Sequence, residues 1–396
     1  MKLFWPIEKD WESELSTLGE YAPKRPFDES VLAFMQALSK RFVRMSQTPE
    51  IVALGFWLRK ANVHKLQQAF EREGRLVKAR GTVFHIAPSN VDTIFVYSWM
   101  LSLLAGNRNV IRVSSKELVG MGLLLETIVE ELQNPLFESI AERTMICTYS
   151  HEEVATAKIS DACHTRVIWG GDETIRAIRK VPLAPLANEL VFPDRFSLAV
   201  LSSQSVVALN EEELNQLTDR FYNDVFWFDQ MACSSSRLVI WTGSSQEEAK
   251  VRFWSAFQKK IEDKRYELVA ATQVLKYTTM LWMAADNAVT SVSPSKYISR
   301  VQLDEIPAFA RERHCGGGLF YEYDTVDLLE AAALLIDKDQ TVSYFGLDLQ
   351  ELREFVDAIP TRGVDRVVPV GQALDFSGVW DGQNFLTSFT REVVII

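Results

Sequence analysis

The feature that most limits what this chain can fold into is an alternation that begins near residue 81. Short apolar runs at 82–86 (TVFHI), 109–113 (NVIRV), 144–149 (TMICTY), 165–169 (TRVIW) and 197–201 (SLAVL) are separated by stretches of helical period at 93–105, 116–133 and 172–180. A strand that is apolar on both faces needs cover on both. A helix between two such strands returns the chain so that they run parallel. The pattern therefore predicts βαβ crossovers and a mostly parallel α/β sheet, in which ligands sit beyond the carboxyl ends of the strands.

A second α/β block begins at about residue 206. It holds a polar helix over 211–223, the segment FWFDQMACSSSR, a strand at 238–241, a long helical region, and strands at 319–323, 342–345 and 366–370. Residues 1–80 read as helical: Val31, Phe34, Met35, Leu38, Phe42 and Val43 recur at the spacing of an amphipathic helix over 30–45. With 396 residues, 47% of them hydrophobic, the chain can build two cores. It ends in VVII, an apolar tail suited to completing a sheet in its own chain or across an oligomer interface.

Several function classes are disfavoured at once. A net charge of −11 argues against non-specific nucleic-acid binding, which needs a cationic surface to displace counterions. The start MKLFWPIEKDWESE becomes charged before a signal-peptide core can develop. The uncharged run from Thr93 to Asn107 has 15 residues where a spanning helix needs roughly 20, so it reads as a buried helix and no membrane span is expected. Four cysteines, Cys147, Cys163, Cys233 and Cys315, lie far apart, which fits neither a disulfide framework nor a zinc site. A reducing cytoplasm and no metal are expected.

Among these cysteines Cys233 has the most unusual setting. Asp229 and Gln230 precede it and Ser234, Ser235 and Ser236 follow, so an apolar region turns small and polar around one thiol. Such a turn admits a substrate closely and offers backbone N–H groups to an oxyanion, although a structural thiol is the commoner role for a cysteine. The loop HIAPSNVD leaves the first strand of the parallel block, and its Asn90 is either a helix cap or an amide donor to an oxyanion. His85, inside the strand, reads as a satisfied core histidine. At the next strand end, Arg112, Ser114, Ser115 and Lys116 match a ribose or a 2′-phosphate, or else form a solvated strand end. Gly170, Gly171 and Asp172 close a strand and open a helix, where a backbone can approach a diphosphate; no GxGxxG fingerprint occurs. The triplet Gly316 to Gly318, after Cys315, is a further flexible point without a role.

Taken together, GTVFHIAPSNVDTIFVYSWMLSLLAGNRNVIRVSSKE, RVIWGGDETI, FDQMACSSSR and DRVVPVGQALDF followed by WDG resemble the LuxC-type acyl-CoA reductase family, a branch of the aldehyde dehydrogenase superfamily. The likeness runs in order from about residue 80 to 383. It implies an aldehyde-dehydrogenase-like fold: a Rossmann-type cofactor domain with a mostly parallel sheet, plus a second α/β catalytic domain. The expected divisions are an N-terminal helical region over 1–80 packed on the cofactor domain, a nucleotide-binding domain over 81–205 and a catalytic domain over 206–370. Residues 371–396 are expected to return to the cofactor domain or to an oligomer interface.

The resemblance also implies roles. Cys233 matches the family's nucleophile, which accepts an acyl group as a thioester, and Asn90 matches the superfamily's oxyanion asparagine. Arg112, Ser114, Ser115 and Lys116 fall where the adenosine ribose is held, and Gly170, Gly171 and Asp172 fall near the cofactor diphosphate. NADPH is the expected cofactor, since Arg112 and Lys116 can pair a 2′-phosphate. The expected reaction reduces a long-chain acyl group, delivered by CoA or a carrier, to an aldehyde. An acyl-activating synthetase is an implied partner, and a homo-oligomer an implied assembly. Phe226, Trp227 and Phe228 suit an acyl channel or core packing equally.

There are departures from the superfamily pattern. Val191 stands where hydrolytic members carry a glutamate base, with Glu189 two positions away; Asp92 stands where a proline is expected; and the glutamate that holds the nicotinamide ribose has no match near Arg313 to Gly317. Two other readings therefore stay open, a cysteine acyl-transferase or thioesterase without hydride transfer, and a scaffold that has lost redox activity.

Overall fold

All eleven residues of the helix Ile94–Leu104 are buried. Without a charge to hold it at the surface, this helix is taken into the core, where each large apolar side chain contributes about 1.5–3 kcal/mol. It packs beside the strands that flank it in sequence. The computed structural model describes residues 1–46, 48–71, 74, 76–88, 93–114, 121–150 and 153–396. The chain divides into two compact units, residues 1–194 with 376–396, and residues 195–375. The strand at 196–202 thus belongs to the second unit, not to the first block as its place in the alternation suggested. Hydrophobic pattern marks a strand but does not say which sheet it joins.

In the first unit the strands are β1 (Lys2–Trp5), β2 (Val77–Ala79), β3 (Thr82–Ile86), β4 (Arg108–Arg112), β5 (Thr144–Thr148), β6 (Thr165–Trp169) and β7 (Asn188–Phe192). Six of them form one sheet in the order β1-β5-β4-β3-β6-β7. From β4 to β7 each strand lies parallel to its neighbours, while β1 is antiparallel to β5. The strand β1 lies in a stretch that reads as helical in sequence; four residues are too few to show a period. The chain winds from β3 outward through β4 and β5, then crosses back to β6 and β7. The winding thus changes direction between β3 and β6, and the carboxyl ends of strands at such a point are the usual ligand position in sheets of this kind. Near the C-terminus, Thr390–Glu392 pairs antiparallel with β2, and the last three residues, Val394, Ile395 and Ile396, are exposed.

The second unit holds β8 (Phe196–Ser202), β9 (Ser236–Thr242), β10 (Val289–Ser293), β11 (Ser299–Leu303), β12 (Leu319–Thr325), β13 (Asp339–Phe345) and β14 (Arg366–Pro369), in the order β10-β11-β12-β9-β8-β13-β14. Only β10 runs antiparallel to its neighbour. The pair β10 and β11 lies within the stretch read as helical. The alternating burial of β11, with Ser299, Val301 and Leu303 inward, is a period-two signal that was legible but short. The helix Glu211–Phe226 starts at a capping box in which Asn210 and Glu213 satisfy each other's backbone N–H groups, and it delivers the chain to the loop before β9. No helix among the described residues is long and apolar enough to cross a membrane.

Candidate active site

The loop 227–235 feeds β9, the central strand of the second sheet, and carries Cys233 half-buried. The strand's amino end is therefore where the thiol sits. The backbone carbonyl of Cys233 accepts the Ser197 hydroxyl at 2.6 Å, and Ser197 in turn accepts the N–H of Thr341 at 3.2 Å. Asp229 and Gln230 adopt left-handed φ values of 50° and 62°. For residues with a Cβ such angles are sparsely populated and need support from their surroundings. That support is visible: the Asp229 carbonyl accepts the Gly317 N–H at 2.8 Å, and its carboxylate accepts the Tyr266 hydroxyl at 2.6 Å. The Gln230 side chain is fully buried and bonds Ser236, Gly318 and Leu319.

The helix that precedes the loop is anchored as well. Asp224 accepts the N–H groups of Gly371 and Ala373 at 2.7 and 2.9 Å, which joins the sequence around Cys233 to the segment DRVVPVGQALDF. Burial pushes its carboxyl up to about 7 against the pull of these two donors. Phe226 is buried against Phe257 and Tyr266, so it is a core residue; Trp227 and Phe228 are half-buried.

The other three cysteines are less suited to nucleophilic chemistry. Burial pushes the thiols of Cys147 and Cys163 up to about 12, far from an attacking thiolate at neutral pH. Cys315 is also raised by burial, with Thr279 and Lys276 pulling the other way. Lys276 is buried, donates to the carbonyls of Lys296 and Tyr297 at 2.7 and 3.1 Å, and is lowered by burial to about 8.

In the first unit, β4 and β6 flank β3, and their carboxyl ends carry Arg112 and the pair Gly170 and Gly171. Asn90, Ser115 and Lys116 lie outside the described residues. Arg112 donates to the Tyr149 carbonyl at 3.2 Å, its guanidinium lies 5.0 Å from the Tyr149 ring, and its buried Nε–H has no partner among the described residues. A buried donor of this kind fits an anionic or hydroxyl-bearing group such as a nucleotide ribose. The helix Asp172–Arg179 starts at Gly171 without a side-chain cap, and a Cβ at Gly171 would meet nothing within 4 Å. Its amide groups are thus open to a ligand, although Asp172 and Glu173 in the first turn oppose an anion there. Among the described residues, no group of three or more His, Cys, Asp or Glu could hold a metal.

A model of the acyl-CoA reductase (LuxC) family matches residues 11–273 of the chain. The chain belongs to that family. Two long-chain acyl-protein thioester reductases are similar to it: that of Photorhabdus laumondii is 23% identical over 194 residues, covering 48% of this chain and 38% of the relative. That of Vibrio harveyi is 20% identical over 298 residues, covering 74% and 59%. The chain therefore spans less than two thirds of the length of these relatives. Among solved structures, aldehyde dehydrogenase 21 of Physcomitrella patens superposes with a TM-score of 0.69 at 12% identity, covering 96% of this chain and 88% of the other. A Thermus 1-pyrroline-5-carboxylate dehydrogenase with bound NAD gives 0.63 at 14% identity, covering 96% and 82%. The fold is that of the aldehyde dehydrogenases.

In this LuxC-family chain, Glu189 is not available as a base. Its carboxylate is held by Arg166 on β6 and by Arg179. His85 is buried in β3, with its ring nitrogens 2.9 Å from the Ser98 hydroxyl and 3.0 Å from the Asn109 side-chain amide oxygen, and burial lowers it to about 4. It is neutral and satisfied, as its place inside a strand suggested. Gln230 and the glycine turn 316–318 are the positions whose part in the site the sequence hid. Polarity next to Cys233 was the only signal at Gln230, and the turn lies more than eighty residues away.

Proposed function

We propose that this LuxC-family protein reduces an activated long-chain acyl group, carried by CoA or by an acyl-carrying protein, to an aldehyde through a thioester on Cys233. The observation that carries the reading is the placement of one half-buried thiol on a braced loop at the amino end of the central strand. Burial, by contrast, pushes the thiols of Cys147 and Cys163 up to about 12. The Cys233 thiolate attacks the acyl carbon, and the carbonyl electrons move to an oxyanion. The backbone N–H of Cys233 is its main-chain donor, with Asn90 as the side-chain donor that the family resemblance implies; one such donor is worth roughly 3–4 kcal/mol in comparable sites. The oxyanion collapses, the carrier leaves as a thiolate, and Cys233 keeps the acyl group.

Arg112, Ser114, Ser115 and Lys116 would hold the ribose end of a nicotinamide cofactor, NADPH in preference to NADH, and Gly170, Gly171 and Asp172 would lie near its diphosphate. When bound in reduced form, the cofactor supplies the hydride that converts the thioester carbon to the aldehyde level. The protein's part is to return the Cys233 sulfur as a leaving thiolate and to keep water from the thioester, in keeping with Val191 at the position where the resemblance places the hydrolytic base. Acyl transfer without hydride is the second reading, favoured by the two carboxylates that open the helix after Gly171.

Incubation with a long-chain acyl-CoA followed by intact mass tests both readings. The expected result is one acyl adduct on the wild type, none on Cys233→Ala, and release of aldehyde with oxidation of NADPH. An adduct that persists in Cys233→Ala sinks the proposal. An adduct released only as free acid moves the function to the second reading.

A further inference from the structure

Gln230 stands where two strands of the second sheet have not yet begun to pair. The ladder between β9 and β12 starts at Leu238 and Tyr321. In a parallel register Ser236 is therefore level with Leu319, yet the two are joined through a side chain. The Gln230 amide nitrogen donates to the carbonyls of Ser236 and Leu319, both at 2.9 Å, and its amide oxygen accepts the Gly318 N–H at 3.0 Å. Both amide hydrogens are used, and all three partners lie on the backbone. The backbone N–H of Gln230 closes back on the Val225 carbonyl at 2.7 Å, at the end of the preceding helix.

Two consequences follow from this geometry. The bond from Gln230 to Ser236 closes a loop of seven residues with Cys233 at its midpoint. The same side chain then ties that loop to the turn Gly316–Gly318, all three residues of which have positive φ. At Gly318 a Cβ would lie 2.0 Å from the Tyr297 carbonyl oxygen, and at Gly316 it would lie 2.7 Å from the Met231 sulfur and 2.9 Å from the Asp229 carbonyl oxygen. Only glycine lets the turn approach the loop this closely. Glutamine is suited to its place because it offers two donors and an acceptor at one end of an unbranched stem; ionised glutamate offers acceptors alone.

We propose that Gln230 is a positioning residue for the Cys233 nucleophile, acting as a side-chain rung between β9 and β12 with the glycine triplet as its seat. The proposal rests on the assignment of Cys233 as the acylated residue. Gln230 does not touch the reacting atoms; it holds the seven-residue loop so that the thiolate and the Cys233 backbone N–H share one alignment. Misplacement by about 1 Å costs on the order of 100-fold in rate.

The test uses the full chain and the variants Gln230→Met, which keeps the volume without the bonds, and Gln230→Glu. Two rates are followed by intact mass and peptide mapping at Cys233: acylation by palmitoyl-CoA, which needs the oxyanion donors aligned, and alkylation by iodoacetamide, which does not. Acylation of Gln230→Met is expected to fall about 100-fold while alkylation changes less than about threefold, and kcat should fall with little change in KM. For Gln230→Glu the deficit relative to wild type should shrink as pH falls, because a protonated carboxyl regains one donor; this arm holds even if the methionine variant does not fold. A folded variant that acylates at the wild-type rate overturns the proposal, and so does an equal loss of acylation and alkylation. A wild type that forms no adduct at Cys233 while another residue does overturns the nucleophile assignment itself, and the proposal falls with it.

Discussion

Glu189 on β7 accepts two bonds from Arg166 on β6, at 3.0 and 2.6 Å, and a third from Arg179 at 2.7 Å. The Arg166 side chain is 3% exposed and that of Glu189 15%, so the pair is largely withdrawn from water. Both oxygens of this carboxylate are engaged by guanidinium groups, which holds it on the sheet. The glutamate nearest to the position of the usual hydrolytic base thus serves the edge of the sheet.

The first prediction follows directly. Glu189→Gln should leave hydrolysis of a preformed Cys233 thioester unchanged, because the residue has no part in activating water. Glu189→Ala, which strands the Arg166 charge, should cost about 3 kcal/mol in urea unfolding, the scale for breaking a buried pair from one side. A drop in thioester hydrolysis in the glutamine variant would return Glu189 to the chemistry.

A second prediction concerns the cofactor. Arg112 keeps one N–H on the Tyr149 carbonyl, and its buried Nε–H has no partner among the described residues. If this guanidinium meets the 2′-phosphate end of the nucleotide, Arg112→Gln should raise KM for NADPH by about tenfold or more, the cost of one charge-assisted contact. KM for NADH should move less than about threefold. Equal shifts for the two cofactors would show that Arg112 does not read the phosphate.

Much of the fold was legible because strands buried on both faces announce themselves as continuous apolar runs; β3, β4, β5 and β6 all do. What was hidden obeys different physics. The strand β1 is short and at an edge, and β10 is half exposed, so neither shows a period long enough to read. Cys233 stood out through its polar neighbours, and His85 through its place inside a strand. Gln230 did not stand out, because its role is fixed by Ser236 on one strand and Leu319 on another, a juxtaposition that only the folded sheet creates. Arg166 was silent for the same reason: its partner Glu189 is 23 positions away, across a ladder.

A third prediction is an acid limit set by His85. Burial holds its pKa at about 4, below the ordinary 6.5, so the folded state keeps the ring neutral while the unfolded chain takes up a proton. Its contribution to stability is full above pH 6.5 and is lost as pH falls through the window from 6.5 to 4. On the scale of 1.36 kcal/mol per unit, about 2 kcal/mol should be gone by pH 5. His85→Gln, which does not titrate, should lack this share of the fall when urea unfolding at pH 7 and pH 5 is compared. An equal fall in both proteins would mean that His85 is already charged or solvated in the folded state.

Asp224 should show the opposite sign. Its folded pKa of about 7 lies above the ordinary 3.8, so between these values the native state holds a proton that the unfolded chain releases. The stability it contributes is complete below pH 3.8 and is lost as pH rises through 7, in total about 4 kcal/mol on the same scale. Between pH 4 and 6.5 the slopes from His85 and Asp224 oppose each other, so the wild-type profile there should be flatter than either group alone would make it. Asp224→Asn removes only the second slope, and its unfolding free energy should therefore rise with pH across this range more steeply than that of the wild type. Parallel stability profiles for the two proteins would place the Asp224 carboxyl in its ordinary range.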